Sequence, residues 1–217
     1  MSSVTVIDYG IGNLLSVRRA FEHCGAEVIL TDSPAMIKKA EHLVLPGVGA
    51  FADGMAGLRE RNLINAIRSY AQENRPFMGI CLGMQMMLEI GEEFGTHEGL
   101  GLINGKVSLI PDTGVDGTAH KIPHIGWNSL AASANWDETI LHGIAPGEAV
   151  YFVHSYTAVP LSADNRLADC VYNGQIISAV IRSGNLYGCQ FHPEKSGQIG
   201  LKIIDNFQKI RNNGFNK

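Results

Sequence analysis

Pro76-Phe77-Met78-Gly79-Ile80-Cys81-Leu82-Gly83-Met84-Gln85 is the stretch that decides how this chain folds. Pro76 to Ile80 is apolar and uncharged, the pattern of a short strand covered on both faces. From Leu82 to Ile90 the residues stay largely apolar and read as a helix. Between the two lies Gly-x-Cys-x-Gly, the spacing of a sharp strand-to-helix turn that pushes its central side chain into a cleft. The glycines suit such a turn because backbone meets backbone there, and a Cβ on either flank would clash. Cys81 then sits at a helix N-terminus, where unpaired amides and the helix dipole favour negative charge. A cysteine so placed is a candidate nucleophile.

Working outward, Val4 to Ile7 reads as a strand. Asn13 is placed to cap a helix whose Leu14, Val17, Phe21 and Cys24 share one face. Glu27 to Leu30 and His42 to Leu45 read as strands. Met55 to Asn74 reads as one helix, with Leu58, Ile64, Ile67 and Ala71 on one side. This alternation predicts an α/β fold: a mostly parallel central sheet covered by helices on both faces, with right-handed crossovers. The second half changes style. Leu100 to Leu130 and Ala149 to Gln190 hold short strand-like runs, such as Lys106 to Ile110 and Ile176 to Ile181, which predict added antiparallel strands. Val171-Tyr172-Asn173-Gly174-Gln175 reads as a hairpin turn. Asp112 to Thr118 has the composition of a mobile loop. A last helix, about Ile199 to Arg211, puts Ile199, Ile203, Phe207 and Ile210 on one face. No repeat or linker interrupts the pattern, so residues 1–217 read as a single domain.

Composition narrows the function classes. The chain is 45% hydrophobic and 18% charged with a net charge of −4, values of a globular protein with no basic run for nucleic acid. No uninterrupted apolar run is long enough for a membrane span, and no basic-then-apolar leader opens the sequence, so a cytoplasmic protein is expected. Cys24, Cys81, Cys170 and Cys189 show no Cys-x-x-Cys spacing, which argues for a reducing compartment and against a zinc site or disulfide frame. His120 and His124 have an i, i+4 spacing but no third ligand near them, so no metal is expected. Neither a phosphate loop nor a Rossmann fingerprint is present, and no cofactor is expected.

A thiol nucleophile needs a base and the base needs an orienter. Gln190-Phe191-His192-Pro193-Glu194 supplies both: in an extended segment His192 and Glu194 face the same way, and the proline between them stiffens the pair. Acyl transfer also needs oxyanion donors. Leu43 to Phe51 reads as a buried strand ending in a glycine-rich turn, which offers backbone amides at Gly47 and Val48; the amide of Leu82 is the other natural donor. All of these fall at the carboxyl ends of strands, where sites on parallel sheets lie.

Three motifs together, Pro46-Gly47-Val48-Gly49, Gly79-Ile80-Cys81-Leu82-Gly83-Met84-Gln85 and His192-Pro193-Glu194, resemble the class I (triad) glutamine amidotransferases. Within that family Ile7 to Val17, His124-Ile125-Gly126-Trp127-Asn128, Tyr151 to Tyr156 and His192 to Ser196 are similar to the glutaminase subunits of imidazole glycerol phosphate synthases. The resemblance implies hydrolysis of glutamine through a Cys81 thioester, with His192 and Glu194 completing the triad. It implies glutamine contacts at Gln85, Glu93, His154, Ser155 and Tyr156. It implies a (β/α)8-barrel synthase (cyclase) partner, forming a heterodimer that uses the ammonia in histidine biosynthesis, docked on Arg18, Trp127, Asn128, Tyr151 and Lys195. Two rivals stay open on the motifs: another cysteine hydrolase of the same fold, such as a γ-glutamyl hydrolase or the amidotransferase of vitamin B6 synthesis, and a catalytically dead binding subunit.

Overall fold

The structure, a computed structural model, describes residues 2–212 and the backbone of residues 214 and 215, so both ends of the 1–217 domain reading lie outside the described residues. Its centre is an eight-stranded sheet in the order Glu27–Thr31, Ser3–Ile7, His42–Gly47, Phe77–Cys81, Leu186–Cys189, Gln175–Ser183, Arg166–Tyr172, Ala131–Ala132. The first five strands are parallel and the last three antiparallel, which is the mixed α/β architecture expected. Two smaller antiparallel pairings carry the rest of the site: His124–Ser129 with Ala149–His154, and Gly105–Leu109 with Tyr156–Pro160.

The two central strands explain the continuous apolar runs. Every residue of His42–Gly47 and Phe77–Cys81 is buried, because helices cover both faces. Side chains alternate between two cores. Val44, Met78 and Ile80 pack with Val17 and Phe21 of Leu14–His23 and with Ile203 and Phe207 of Gly197–Phe207. Leu43, Leu45 and Phe77 pack with Met55 and Leu58 of Phe51–Glu60 and with Ile67 and Tyr70 of Ile64–Gln72. Asn13 caps its helix as predicted, its side chain accepting from the Ser16 amide at 3.3 Å. The 171–175 hairpin turns through Asn173 and Gly174, at φ 47° and 80°.

Three helix expectations are corrected. The 55–74 helix is two helices, Phe51–Glu60 and Ile64–Gln72. Asn62 takes φ 58°, and the amides of Asn62 and Leu63 bond back to the carbonyls of Arg59 and Leu58, a left-handed helix stop. At about 100° per residue Leu58 falls on the opposite side from Ile67, so the apolar stripe changes phase at this break. The helix after Cys81 ends at Met86 rather than Ile90. The carbonyls of Met86, Met87 and Leu88 accept from Leu100, Leu102 and Gly101 amides instead of helical partners, and Ile90–Gly91 joins a sheet. The last helix is Gly197–Phe207, and Ile210–Arg211 beyond it pairs as a strand. The 112–118 segment folds back on itself, with Gly114 donating to the Thr118 carbonyl. Among the described residues no helix is long and apolar enough to cross a membrane.

Phe207 joins the last helix to the core, meeting Phe21 edge-on at 6.2 Å and His42 at 5.4 Å between ring centres. Phe207→Ala is predicted to cost about 3–5 kcal/mol of unfolding free energy, the usual range for emptying a buried aromatic site. Urea unfolding measures it; a loss under about 1 kcal/mol would mean that this helix contributes little to the core.

Candidate active site

Cys81 closes its strand at φ 53° and ψ −110°. A non-glycine residue there carries about 1–3 kcal/mol of strain, so the surroundings must impose it. They do so from two sides. Gly47 and Cys81 are register partners in the parallel sheet, which fixes the strand end. A Cβ on Gly79 would come within 2.7 Å of the Gly83 carbonyl oxygen and the Met84 amide, and a Cβ on Gly83 would collide with the Leu45 carbonyl oxygen. Only glycine allows the helix start to press this closely on two strands. Cys81 lines a cavity of about 490 Å³ together with Leu82, Gln85, Glu93, His154, Ser155, Tyr156 and His192.

His192 reaches that cavity from the loop after Leu186–Cys189. Its partner is held by a different backbone from the extended one expected: Pro193–Lys195 is a single 3-10 turn with His192 as its N-cap. The turn brings Glu194 Oε1 to 2.8 Å from His192 Nδ1 with both side chains almost wholly buried. The loop is tied down, since the His192 amide donates to the Tyr151 carbonyl at 3.0 Å and the Ser196 hydroxyl donates to the His192 carbonyl at 2.7 Å. Burial alone would depress the ring, but Cys81 and Glu194 outweigh it and lift its pKa to about 9. Nε2 is buried with no other partner, and the Cys81 side chain is the strongest influence raising the ring. The other thiols face burial instead. It raises Cys24 and Cys189 and pushes Cys170 up to about 12, and none of the three lines the cavity.

Gln85 is one helical turn past the cysteine and turns inward. Its Nε2 donates to the Tyr156 carbonyl at 3.0 Å and to Gln190 Oε1 at 3.1 Å, which commits both amide hydrogens and leaves Oε1 as the acceptor for a ligand. Glu93 accepts from the Phe51 amide at 2.7 Å, anchoring its carboxylate at a helix start on the cavity rim. Val48 lines the cavity; Gly47 lies behind it, where an added Cβ would meet the Tyr9 hydroxyl and Leu82. Sequence reasoning assigned no role to Gln190 or Tyr9. Gln190 Nε2 faces Cys81 Sγ at 3.9 Å, and Tyr9 donates to the Pro46 carbonyl at 2.8 Å beneath the glycine-rich turn. Both are polar groups closing apolar strands, and a polar side chain in such a run is a signal because its burial needs partners.

The remaining residues gather elsewhere. Trp127 is 59% exposed, so it is not a core residue, and it meets Tyr151 edge-on across the two-stranded ribbon. Lys195 is exposed beside them, and the helix of Arg18 packs against its turn. Arg18 itself pairs with Glu22 at 2.7 Å. Asn128 sits on the same ribbon, but its side chain turns away and donates to the Val171 carbonyl.

Two outcomes follow from this geometry. Gly83→Ala should destabilise the fold by at least about 3 kcal/mol, the upper part of the overpacking range, because backbone and not a side chain stands in the way; a urea midpoint close to that of the parent would refute the tight turn. The histidines set the pH profile. In the folded protein His192 holds its proton to about pH 9, so its contribution is complete below the ordinary 6.5 and is lost as the pH rises through 9. His124 and His154 are held down at about 4, by burial first, so their contribution is present above 6.5 and is lost as the pH falls towards 4. The melting temperature should therefore peak near pH 6.5, and Glu194→Gln should flatten the alkaline side. A flat profile above pH 6.5 in the parent would contradict the raised ring.

Comparison with known proteins agrees with this geometry. Residues 5–210 match the family model "Glutamine amidotransferase class-I". The chain is 57% identical over 213 residues to imidazole glycerol phosphate synthase subunit HisH 1 of Legionella pneumophila (strain Lens), covering 97% of this chain and 100% of that one. It is 46% identical over 207 residues to subunit HisH of Geobacillus sp. (strain WCH70), covering 95% and 96%. The fold is similar to PurLQS from Thermotoga maritima, with a TM-score of 0.67 at 21% identity over 93% of this chain and 95% of that one. It is also similar to a crystal structure of a glutamine amidotransferase, with a TM-score of 0.68 at 16% identity over 91% and 94%. The chain belongs to the class-I glutamine amidotransferases, and within them to the family of imidazole glycerol phosphate synthase HisH subunits.

Proposed function

We propose that this chain is the glutaminase subunit of an imidazole glycerol phosphate synthase, with residues 1–217 acting as one glutaminase domain and Cys81, His192 and Glu194 as its triad. The observation that carries the reading is a buried His192–Glu194 pair at 2.8 Å opening on the same cavity as a cysteine forced to positive φ. His192 carries the proton of the Cys81–His192 pair, and the sulfur attacks the side-chain amide carbon of glutamine. Amides of Val48, Leu82 and Gly47 hold the oxyanion. The carbon–nitrogen bond breaks as His192 protonates the departing ammonia, and a glutamyl thioester remains. His192 then takes a proton from water, the hydroxide displaces the sulfur, and glutamate leaves. Glu194 orients the ring and stabilises the imidazolium throughout.

Substrate contacts fit the chemistry of glutamine. Gln85 Oε1 and the Glu93 carboxylate are acceptors suited to its ammonium, and the 154–156 backbone lines the pocket beside them. The ammonia goes to a synthase partner of (β/α)8-barrel form that completes the imidazole ring in histidine biosynthesis. It docks as a heterodimer on Arg18, Trp127, Asn128, Tyr151 and Lys195, with Trp127 as the aromatic anchor. No metal or cofactor takes part, and the complex works in the cytoplasm.

In the assembled complex Cys81→Ala should reduce glutamine-dependent product formation by roughly 10³-fold or more while sparing the reaction driven by added ammonia. Loss of both activities would point to misfolding or to a different role for the thiol. Full-speed glutamine hydrolysis by the isolated chain, indifferent to the partner, would favour a free-standing hydrolase. Lys195→Ala should weaken association or activation; unchanged binding and turnover would remove it from the docking face.

A further inference from the structure

Behind the cavity the buried polar groups form one unbroken path. It starts at Asn128 on the ribbon of Trp127 and Tyr151. The Asn128 amide is oriented from both sides: Oδ1 accepts from the Ser129 amide at 2.8 Å and Nδ2 donates to the Val171 carbonyl at 3.0 Å. The second hydrogen on Nδ2 is available to His124 Nε2 at 3.3 Å. His124 Nδ1 lies 3.1 Å from His154 Nε2, and His154 Nδ1 lies 2.8 Å from the Tyr156 carbonyl. That carbonyl is the one that also accepts from Gln85, which continues to Gln190 and the Cys81 sulfur.

Valence sets the direction of this path. The Tyr156 carbonyl can only accept, so His154 Nδ1 carries the proton and its Nε2 is bare. The bare nitrogen needs a donor, so His124 Nδ1 also carries a proton. His124 Nε2 is then bare and accepts from Asn128. A donor at one end and an acceptor at the other thus select the Nδ1–H form of both rings, the minor tautomer of histidine in water. A second proton on either ring would set two donors face to face, and burial keeps both rings neutral. The geometry is clamped as well, since His124 stacks between Tyr172 at 4.1 Å and Phe152 at 4.9 Å.

We propose that His124 and His154 are positioning residues for the glutamine site, a relay of fixed direction that holds the Tyr156 carbonyl and through it Gln85 and Gln190. This rests on the glutaminase reading above. Gln85 offers its Oε1 to a ligand only while both its hydrogens are occupied. Removing the relay leaves the Tyr156 carbonyl free to shift and the Gln85 amide free to rotate. The outer end of the relay lies on the ribbon assigned to the partner, so a movement of that ribbon reaches the glutamine contact through hydrogen bonds and needs no displacement of the triad.

Two measurements test this. Long-range ¹⁵N–¹H spectra of the free chain should show His124 and His154 protonated at Nδ1; an Nε2–H tautomer at either ring overturns the relay. In the assembled complex, His124→Phe keeps the stack but removes both hydrogen bonds. The KM for glutamine should rise about tenfold, the effect of leaving one buried partner unpaired. Its kcat and the ammonia-driven rate should stay within about twofold, which separates positioning from a folding defect. His124→Asn, whose amide takes the Nδ1 place and still donates to His154, should recover most of the loss. Glutamine turnover by the parent complex with an unchanged KM in His124→Phe overturns the positioning role alone. No turnover by the parent complex overturns the glutaminase reading and the positioning role with it.

Discussion

The Cys81 backbone is held at φ 53° and ψ −110° by the pairing of its strand with His42–Gly47 on one side and Leu186–Cys189 on the other. Most of the site depends on that constraint. The strained turn exists because the helix start is pressed against Leu45 at Gly83, where only a residue without a Cβ fits. The pressure comes from the core, since Leu45, Leu82 and Met84 belong to one packed cluster. Packing energy across the sheet thus maintains local strain at the sulfur. The carboxyl ends of these neighbouring strands carry the glycine-rich turn and the loop of His192, so three adjacent strand ends set the distances among donor turn, thiol and imidazole.

Electrostatics then divides the four buried histidines by their neighbours. His192 has a carboxylate at 2.8 Å and the cysteine sulfur nearby, and these raise it against the burial that would lower it. His124 and His154 lie close by with no carboxylate among their hydrogen-bond partners, and burial keeps them neutral. His42, at the far end of its strand, is lowered by burial as well. Desolvation is common to all four, and the adjacent charge decides which ring keeps its proton. One cationic ring beside neutral ones suits a site that moves a single proton between a thiol and an amide nitrogen.

Much of this was legible along the chain because it rests on short-range rules. Gly79 and Gly83 around Cys81 state the turn, since the clash that excludes a Cβ is with residues close in sequence as well as with Leu45. Asn13 states a helix start, and Asn173-Gly174 states a hairpin, because each supplies a backbone conformation or a cap at its own position. The strand–helix alternation states the parallel sheet. Helix ends were less legible. The stop at Asn62 is made by a left-handed residue that is not glycine, and the stop at Met86 is made by carbonyls that bond to residues 100–102.

The sequence by itself determined the elements, the thiol at its turn, and the His192–Glu194 neighbourhood, because turn geometry, periodicity and adjacency act over a few residues. It did not determine that Pro193–Lys195 coils into a 3-10 turn, that Gln190 turns its amide to the sulfur, or that Asn128, His124 and His154 line up towards Tyr156. Those are matters of tertiary structure. Hydrogen-bond direction in a buried path is set by which donors and acceptors lie at its ends, and only folding brings residues from distant strands close enough to supply them.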